Sequence, residues 1–248
     1  MLSVVILAKN EEQNLPKCLE SIHGLAGEII IIDDNSTDQT LEIARKYKTK
    51  IFIHPLNNDF AAQRNFGLEK AEGDWILFVD ADERISPELK KEIEKLIKEL
   101  KFNGFYLRRE DFFGGRFLKY GETANVRLLR LGRKGKGDWQ RKVHEVWRIS
   151  GPTGELKNPL LHYPHPTITE FLKNINRYST LHAEALKKDG VKPSLGQIIF
   201  YPLGKFIQNY FFKLGFLDST PGVVVALMMS FHSFLSRAKL FFLYQKDL

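Results

Sequence analysis

Gly73-Asp74-Trp75-Ile76-Leu77-Phe78-Val79-Asp80-Ala81-Asp82-Glu83 is the stretch on which the reading of this chain turns. Trp75 to Val79 run without a polar break, which predicts a strand buried on both faces, as in a parallel sheet. Three carboxylates follow within four residues. Asp80 and Asp82 are two apart, so an extended backbone turns them the same way. Like charges side by side repel. A hard divalent cation, Mg2+ or Mn2+, reverses that sign, because it takes carboxylate oxygens and keeps positions open for phosphate. Strand followed by Asp-x-Asp therefore points to a metal–diphosphate site at the carboxyl end of a sheet. The plainer alternative is a solvated acidic turn.

Upstream, three more apolar runs precede it: Ser3–Leu7, Glu28–Ile32 and Lys50–His54. Helical spacing separates them, with Leu15, Leu19 and Ile22 on one face, then Leu41, Ile43 and Ala44, then Ala61, Phe66 and Leu68. Alternating strand and helix predicts parallel strands with right-handed crossovers. Ser36-Thr37-Asp38-Gln39 has the pattern of a capping box. Ser86-Pro87-Glu88 predicts the start of a helix reaching about Leu100. Each predicted strand ends in polar residues: Lys9-Asn10-Glu11-Glu12, Asp33-Asp34-Asn35-Ser36, Asn57-Asn58-Asp59 with Gln63-Arg64-Asn65, and Asp80-Ala81-Asp82-Glu83. Ligands of open α/β sheets sit beyond the carboxyl ends of strands, so these clusters are expected to share one crevice. A dinucleotide fingerprint and a P-loop are both missing from the sequence, which leaves phosphate binding to a metal.

The 248 residues suit one large domain or a domain with an extension. A formal charge of +7 favours anionic partners. Cys18 is the sole cysteine, so no intrachain disulfide or thiolate cluster is available. Ser3–Leu7 is too short for a signal-peptide core and Glu11 and Glu12 follow closely, so a cytoplasmic location is expected.

Ser3-Val-Val-Ile-Leu-Ala-Lys-Asn-Glu-Glu, Ile31-Ile-Asp-Asp-Asn-Ser-Thr-Asp-Gln-Thr, Ala62-Gln-Arg-Asn-Phe-Gly-Leu and the Asp-x-Asp stretch, in this order and spacing, resemble family-2 glycosyltransferases. The resemblance implies an α/β GT-A fold with a mostly parallel central sheet, a nucleotide-sugar donor, a divalent cation and inversion at the anomeric carbon. Carried over by position, Asp34 with Asp33 accepts from the donor base, expected to be uracil, and Ala8 leaves room for that base. Glu11 reaches the ribose, Arg64 lies near the diphosphate or sugar, and Asp80 and Asp82 hold the metal, Asp82 as the direct ligand. Without the resemblance, Asp33 reads as a helix cap and Arg64 as a surface arginine.

Beyond Gly104 the pattern changes to shorter strands around Phe105, Leu107, Val126, Leu128 and Leu129. Arg133-Lys134-Gly135-Lys136-Gly137-Asp138 reads as a mobile basic loop able to close over a phosphate-bearing ligand, or as a solvated turn. In Trp139-Gln140-Arg141-Lys142-Val143-His144-Glu145-Val146-Trp147, Glu145 is the candidate general base that an inverting transfer requires, the plainer alternative being a strand-edge salt bridge. Its flanking tryptophans are expected to stack on a sugar. Val-His-Glu at this distance is similar to the lipopolysaccharide-core glucosyltransferase subgroup. His144 reads as structural, and His162, in His162-Tyr163-Pro164-His165-Pro166, as a turn histidine or a further metal ligand.

The last third concentrates aromatic residues and lysines, with a predicted helix over Thr167–Lys188 and a proline, Pro202, expected to break or kink the next. Ser219 to Ser236 lacks formal charge and just reaches spanning length. An amphipathic pair of helices lying on an anionic membrane surface fits its composition better, and simple packing on the catalytic domain is the alternative. The expected organisation is a catalytic domain over 1–165, with a nucleotide-sugar half (1–100) and an acceptor half (101–165), and a helical extension over 166–248. The expected activity is metal-dependent, inverting transfer of a sugar to a hydroxyl of a glycolipid or other lipid-linked acceptor on the cytoplasmic face of a membrane. Transfer to a polyprenyl phosphate is an alternative. Another is a non-catalytic basic module for nucleic acid or membrane, disfavoured by carboxylates standing where nucleic acid needs positive charge.

Overall fold

The computed structural model describes residues 1–99, 101–124, 126–142, 145–164 and 167–245. It divides into two compact units. The first comprises Met1–Arg109 and Val126–His162, and the second Glu110–Asn125 and Tyr163–Leu248.

In the first unit the apolar runs form strands β1 (Leu2–Ala8), β2 (Glu28–Asp33), β3 (Lys50–Ile53) and β4 (Trp75–Asp80). Helices α1 (Leu15–Ile22), α2 (Thr40–Lys46) and α3 (Phe60–Lys70) alternate with them. The four strands are parallel, in the order β3-β2-β1-β4. The registers Ala8↔Asp33 and Leu7↔Asp80 bring the carboxyl ends of β2, β1 and β4 level. After β5 (Glu83–Ile85) and α4 (Pro87–Leu96), the chain returns in β6 (Gly104–Phe113), β7 (Arg116–Phe117) and β8 (Arg127–Arg133). β8 lies antiparallel between β4 and β6, which makes the sheet mixed. β9 (Gly137–Gln140) and β10 (Val146–Ile149) form a separate hairpin. β11 (Thr153–Glu155) joins β6, and β12 (Leu160–His162) pairs with β5.

Val4, Ile6, Leu77 and Val79 pack with Leu15, Leu19 and Ile22 of α1. On another cluster Val5, Ile30, Ile76 and Phe78 pack with Trp139 and Trp147. Burial on both sides is the reason β4 reads as an unbroken apolar run. The Ser86 hydroxyl caps α4 at the Leu89 N–H. The capping box expected at Ser36 does not form. Ser36 Oγ accepts the Asn10 N–H, and Asp38 accepts from Thr40, so α2 starts later, at Thr40, without a side-chain cap. Nearby loops claimed the polar groups that the motif assigned to the helix. α4 ends at Leu96, short of the expected Leu100, which lies outside the described residues.

The second unit contains α5 (Ile168–Lys188), α6 (Leu195–Ile207) and α7 (Ser219–Gln245), with a π-helical turn at Gln208–Phe212 and a 3-10 turn at Gly215–Asp218. Thr167 and Ser194 cap α5 and α6. Pro202 does not break α6, which runs through it to Ile207. Phe113, Leu118, Phe171, Ile175 and Val225 form the unit's core. α7 starts against the Gly215 carbonyl, so close that a Cβ on Gly222 would stand 1.9 Å from that oxygen.

α3 lies on β1 because Gly67 permits it: a Cβ there would sit 2.6 Å from Val5 Cγ1. Gly67→Ala is expected to lower stability by about 1–3 kcal/mol through overpacking. Urea unfolding measures this, and an unchanged midpoint would contradict the packing described.

Candidate active site

The site is built at the carboxyl ends of the parallel strands, from side chains of the first unit alone. β4 stops at Asp80, and Ala81-Asp82 turn before β5 begins. The turn is pinned from both sides. Glu83 Oε2 accepts the Asp80 N–H at 2.8 Å, and Arg84 Nη1 donates to the Ala81 and Glu83 carbonyls. Because the backbone is not extended here, Asp80 and Asp82 do not form the parallel pair expected of them, and they go to different partners.

Asp80 is held by two arginines. Arg64 Nη2 donates to its Oδ1 at 3.0 Å, and Arg130 Nη2 to its Oδ2 at 2.6 Å. Both arginines are buried, Arg64 at 3% and Arg130 at 4% exposure. Burial alone would raise the Asp80 carboxyl, but Arg130 and Arg64 overcome it and hold the group well below the usual carboxylate range. Arg64 also donates from Nε to Glu145 Oε1 at 3.0 Å, so its guanidinium joins the first carboxylate of the Asp-x-Asp to the candidate base. Its third nitrogen, Nη1, is buried without a hydrogen-bond partner.

Beneath the arginines lie Trp139 and Trp147. They stack on each other with centroids 5.4 Å apart, and each meets Phe78 edge-on. The Arg64 guanidinium carbon stands 4.8 Å from the Trp139 ring centre. Both indoles are almost wholly buried, which corrects the expectation that they stack on a sugar: they are the floor that supports the arginines. The basic loop is corrected too. Arg133 pairs in register with Trp75, at the amino end of β4, and its guanidinium donates to the Phe102 and Glu99 carbonyls. Lys134 is tied to Ala71 and Asp74. That loop stands the length of β4 away from Asp80, about 16 Å, and is anchored, so it does not close over this site.

Asp82 faces His162, whose Nε2 lies 3.2 Å from Oδ2. Asp82 keeps a quarter of its side chain exposed. Around it the field is negative. Burial pushes the Glu11 carboxyl up to about 7; Asn14 pulls it down, while Asp82, Asp38 and Asp80 add to the rise. Burial and the charge of Asp80 likewise raise Glu83, whose Oε1 has no hydrogen-bond partner. Such a field suits a cation. Among the described residues, no three His, Cys, Asp or Glu side chains gather closely enough to enclose one. Asp82 and His162 thus fit an ion that takes its remaining ligands from a bound substrate and water.

On the β2 side, Asp34 Oδ2 meets Lys9 at 2.7 Å and Oδ1 accepts the Leu56 N–H at 2.8 Å. Burial raises this carboxyl, but Lys9 and Leu56 outweigh it and pull it below the ordinary range. Asp33 is fully buried and accepts the Ser36 N–H, a turn contact and not a helix cap. Ala8 is buried at the end of β1, its carbonyl accepting the Asp34 N–H. His144, His165 and Pro166 lie outside the described residues. Sequence reasoning missed Arg130. The signal was an arginine inside the run Leu128-Leu129-Arg130-Leu131, where burial demands an anionic partner.

The family model described as glycosyl transferase family 2 matches residues 3–151. The chain is 31% identical over 253 aligned positions to the lipopolysaccharide core biosynthesis glycosyltransferase LpsC of Rhizobium meliloti, covering 97% of this chain and 92% of that one. It is 25% identical to an uncharacterized glycosyltransferase of Rickettsia typhi, covering 96% and 86% of the two. Among solved structures it is similar to S. aureus TarS 1-349 in complex with UDP, with a TM-score of 0.51 and 18% identity, covering 100% of this chain and 92% of that one. This last likeness concerns the fold, an α/β sheet of GT-A type with mostly parallel strands.

Removing the carboxylate that the arginines share leaves two buried cations with one fewer anion. Asp80→Asn is expected to cost about 3 kcal/mol at pH 7. A carboxylate depressed in the folded state stabilises above its unfolded pKa, and that stability is lost as pH falls through the folded value. The difference between parent and variant should therefore shrink below about pH 4. Chemical unfolding at pH 7 and pH 3 measures it, and an equal difference at both would count against the ion pairs.

Proposed function

The chain belongs to glycosyl transferase family 2 and is a glycosyltransferase, and we propose that it moves a sugar from a UDP-type donor, with inversion, to a hydroxyl of a glycolipid acceptor of the lipopolysaccharide-core kind. The observation that supports this most is the Asp82–His162 pair at the carboxyl end of β4, in a negative field and beside an Asp80 already neutralised by arginines. The names of the R. meliloti relative and of the UDP-bound S. aureus structure agree with the acceptor class and the donor nucleotide.

In this reading Asp34, with Asp33 behind it, accepts from the uracil, once the exposed Lys9 swings aside. Ala8 leaves room for the flat base and Glu11 takes the ribose hydroxyls. Asp82 and His162 hold the divalent ion, and the imidazole favours Mn2+ over Mg2+. When bound, that cation supplies positive charge for the diphosphate that departs. Asp80 orients Arg64, whose buried, unpartnered Nη1 is free for the donor. Glu145, gripped by Arg64 through Oε1 only, takes the acceptor proton as the hydroxyl oxygen bonds to the anomeric carbon and the carbon–phosphate-oxygen bond breaks on the opposite face. The acceptor is presented at a membrane surface, on which the apolar helical unit of the chain rests.

The grip of Arg64 on Glu145 favours a second reading, because it occupies one of the two carboxylate oxygens that would take the acceptor proton. A polyprenyl phosphate acceptor is already an anion and needs no base. Glu145→Gln separates the two: turnover should fall by about 10²–10⁴ for a hydroxyl acceptor, whereas unchanged turnover would favour the phosphate acceptor. For the donor, thermal shift with UDP-sugars is expected to show stabilisation that requires Mn2+ and is lost in Asp82→Ala and weakened in His162→Ala. Equal, metal-independent shifts in all three proteins would count against the proposed cation site.

A further inference from the structure

The second unit exposes apolar side chains that water does not favour. Along α6, Leu195, Ile199, Leu203 and Ile207 recur every fourth residue on one outward stripe, exposed by 71%, 48%, 56% and 45%. Phe200, at 69%, flanks it. The π-helical turn and the elbow after it continue the pattern with Phe211, Phe212, Leu214, Phe216 and Leu217, of which Phe212 is 80% exposed. A helix that is apolar on its outer face as well as its inner one has a non-aqueous neighbour.

The charge around this surface names the neighbour. From Gly190 to Lys246 the sequence holds six Lys and Arg residues and a single acid, Asp218. Asp218 is 1% exposed and spent internally, accepting the Lys119 and Tyr120 N–H groups at 3.0 and 2.8 Å. Lys205 is paired with Glu122, while Lys192 and Lys213 stand exposed. An apolar surface flanked by the exposed Lys192 and Lys213, on a stretch whose one acid is buried, complements an anionic lipid leaflet.

The segment Gly215–Gln245 is long and apolar enough to cross a membrane, and only 22% of its most apolar window is buried. Four of its polar side chains are nevertheless committed to the neighbouring helices. Lys239 Nζ donates to the Asn176 carbonyl at 2.6 Å and to the Ser179 and Thr180 hydroxyls at 2.8 Å. Ser230 donates to the Pro202 carbonyl, His232 stacks on His182, and Arg237 lies 4.3 Å from the centre of the Tyr201 ring. Crossing would break these contacts to α5 and α6 together. We propose that the helical unit lies in the plane of an anionic leaflet, inserting the outer stripe of α6 and the Phe211–Leu217 elbow, while α7 stays packed and does not span. This rests on the membrane-surface reading above and names the face, the lipid charge and the depth.

The test uses the full chain with a C-terminal epitope and sealed vesicles of phosphatidylcholine, alone or mixed with phosphatidylglycerol. Flotation is expected with the mixed vesicles and not with neutral ones. It should fall about tenfold or more in Phe200→Ser/Phe212→Ser, since each lost ring removes a large buried apolar area. The epitope should remain open to protease added outside. Undiminished flotation of the double variant, equal flotation on neutral vesicles, no flotation, or a protected epitope would each overturn the proposal. Thermal shift with UDP and Mn2+ on the same proteins reads the donor site separately, and the double variant should match the parent there.

Discussion

Two buried guanidinium groups share one carboxylate at the end of β4, and the first unit of the fold is arranged to keep that contact. Arg64 and Arg130 have almost no exposure to water, so each needs an anion at hydrogen-bond distance. Asp80 serves both, and Glu145 gives Arg64 its second. Two cations thus meet two anions in a small volume, over an indole floor that excludes water. The contact ties α3, β4, β8 and the segment leading into β10 to one point. α3 can come close enough only because Gly67 leaves space for Val5.

With Asp80 committed in this way, the remaining acids become the reactive part of the site. Burial raises Glu11 to about 7, and burial together with the charge of Asp80 pushes Glu83 upward. A surface that holds such groups close together is tuned for positive charge that arrives with a ligand. His162 adds an imidazole nitrogen 3.2 Å from Asp82 Oδ2 at the edge of that group. The Asp-x-Asp motif therefore divides its contacts: Asp80 is held by Arg64 and Arg130, and Asp82 faces His162.

The parallel half of the fold was legible because its signal is local. Unbroken apolar runs such as Trp75–Val79 report burial on both faces, and the polar residues after them mark the ligand edge. Asp33, Asp34, Glu11 and Asp82 follow those runs, and the structure sets them at or just past the ends of β2, β1 and β4; the roles expected of them come from the family resemblance. What could not be read depended on contacts between distant segments. Arg130 lies fifty residues beyond Asp80, and nothing near it in sequence identifies its partner. Trp139 and Trp147 looked like a sugar platform because aromatic residues beside a carboxylate have the same composition whether they face a ligand or Phe78. The basic turn at Arg133–Asp138 was misplaced because charge does not reveal which end of the sheet a hairpin occupies. In the helical unit, periodicity identified the helices, but only the contacts of Lys239 and Asp218 show which polar groups are used internally.

The central claim is that Asp82 and His162 together hold a divalent cation beside an arginine-neutralised Asp80. Pulsed electron paramagnetic resonance of Mn2+ bound to the chain with UDP addresses it directly. Nitrogen modulation from a coordinated imidazole, appearing together with phosphorus coupling and lost in His162→Ala, is the predicted result. Phosphorus coupling with no nitrogen signal in the parent would contradict it.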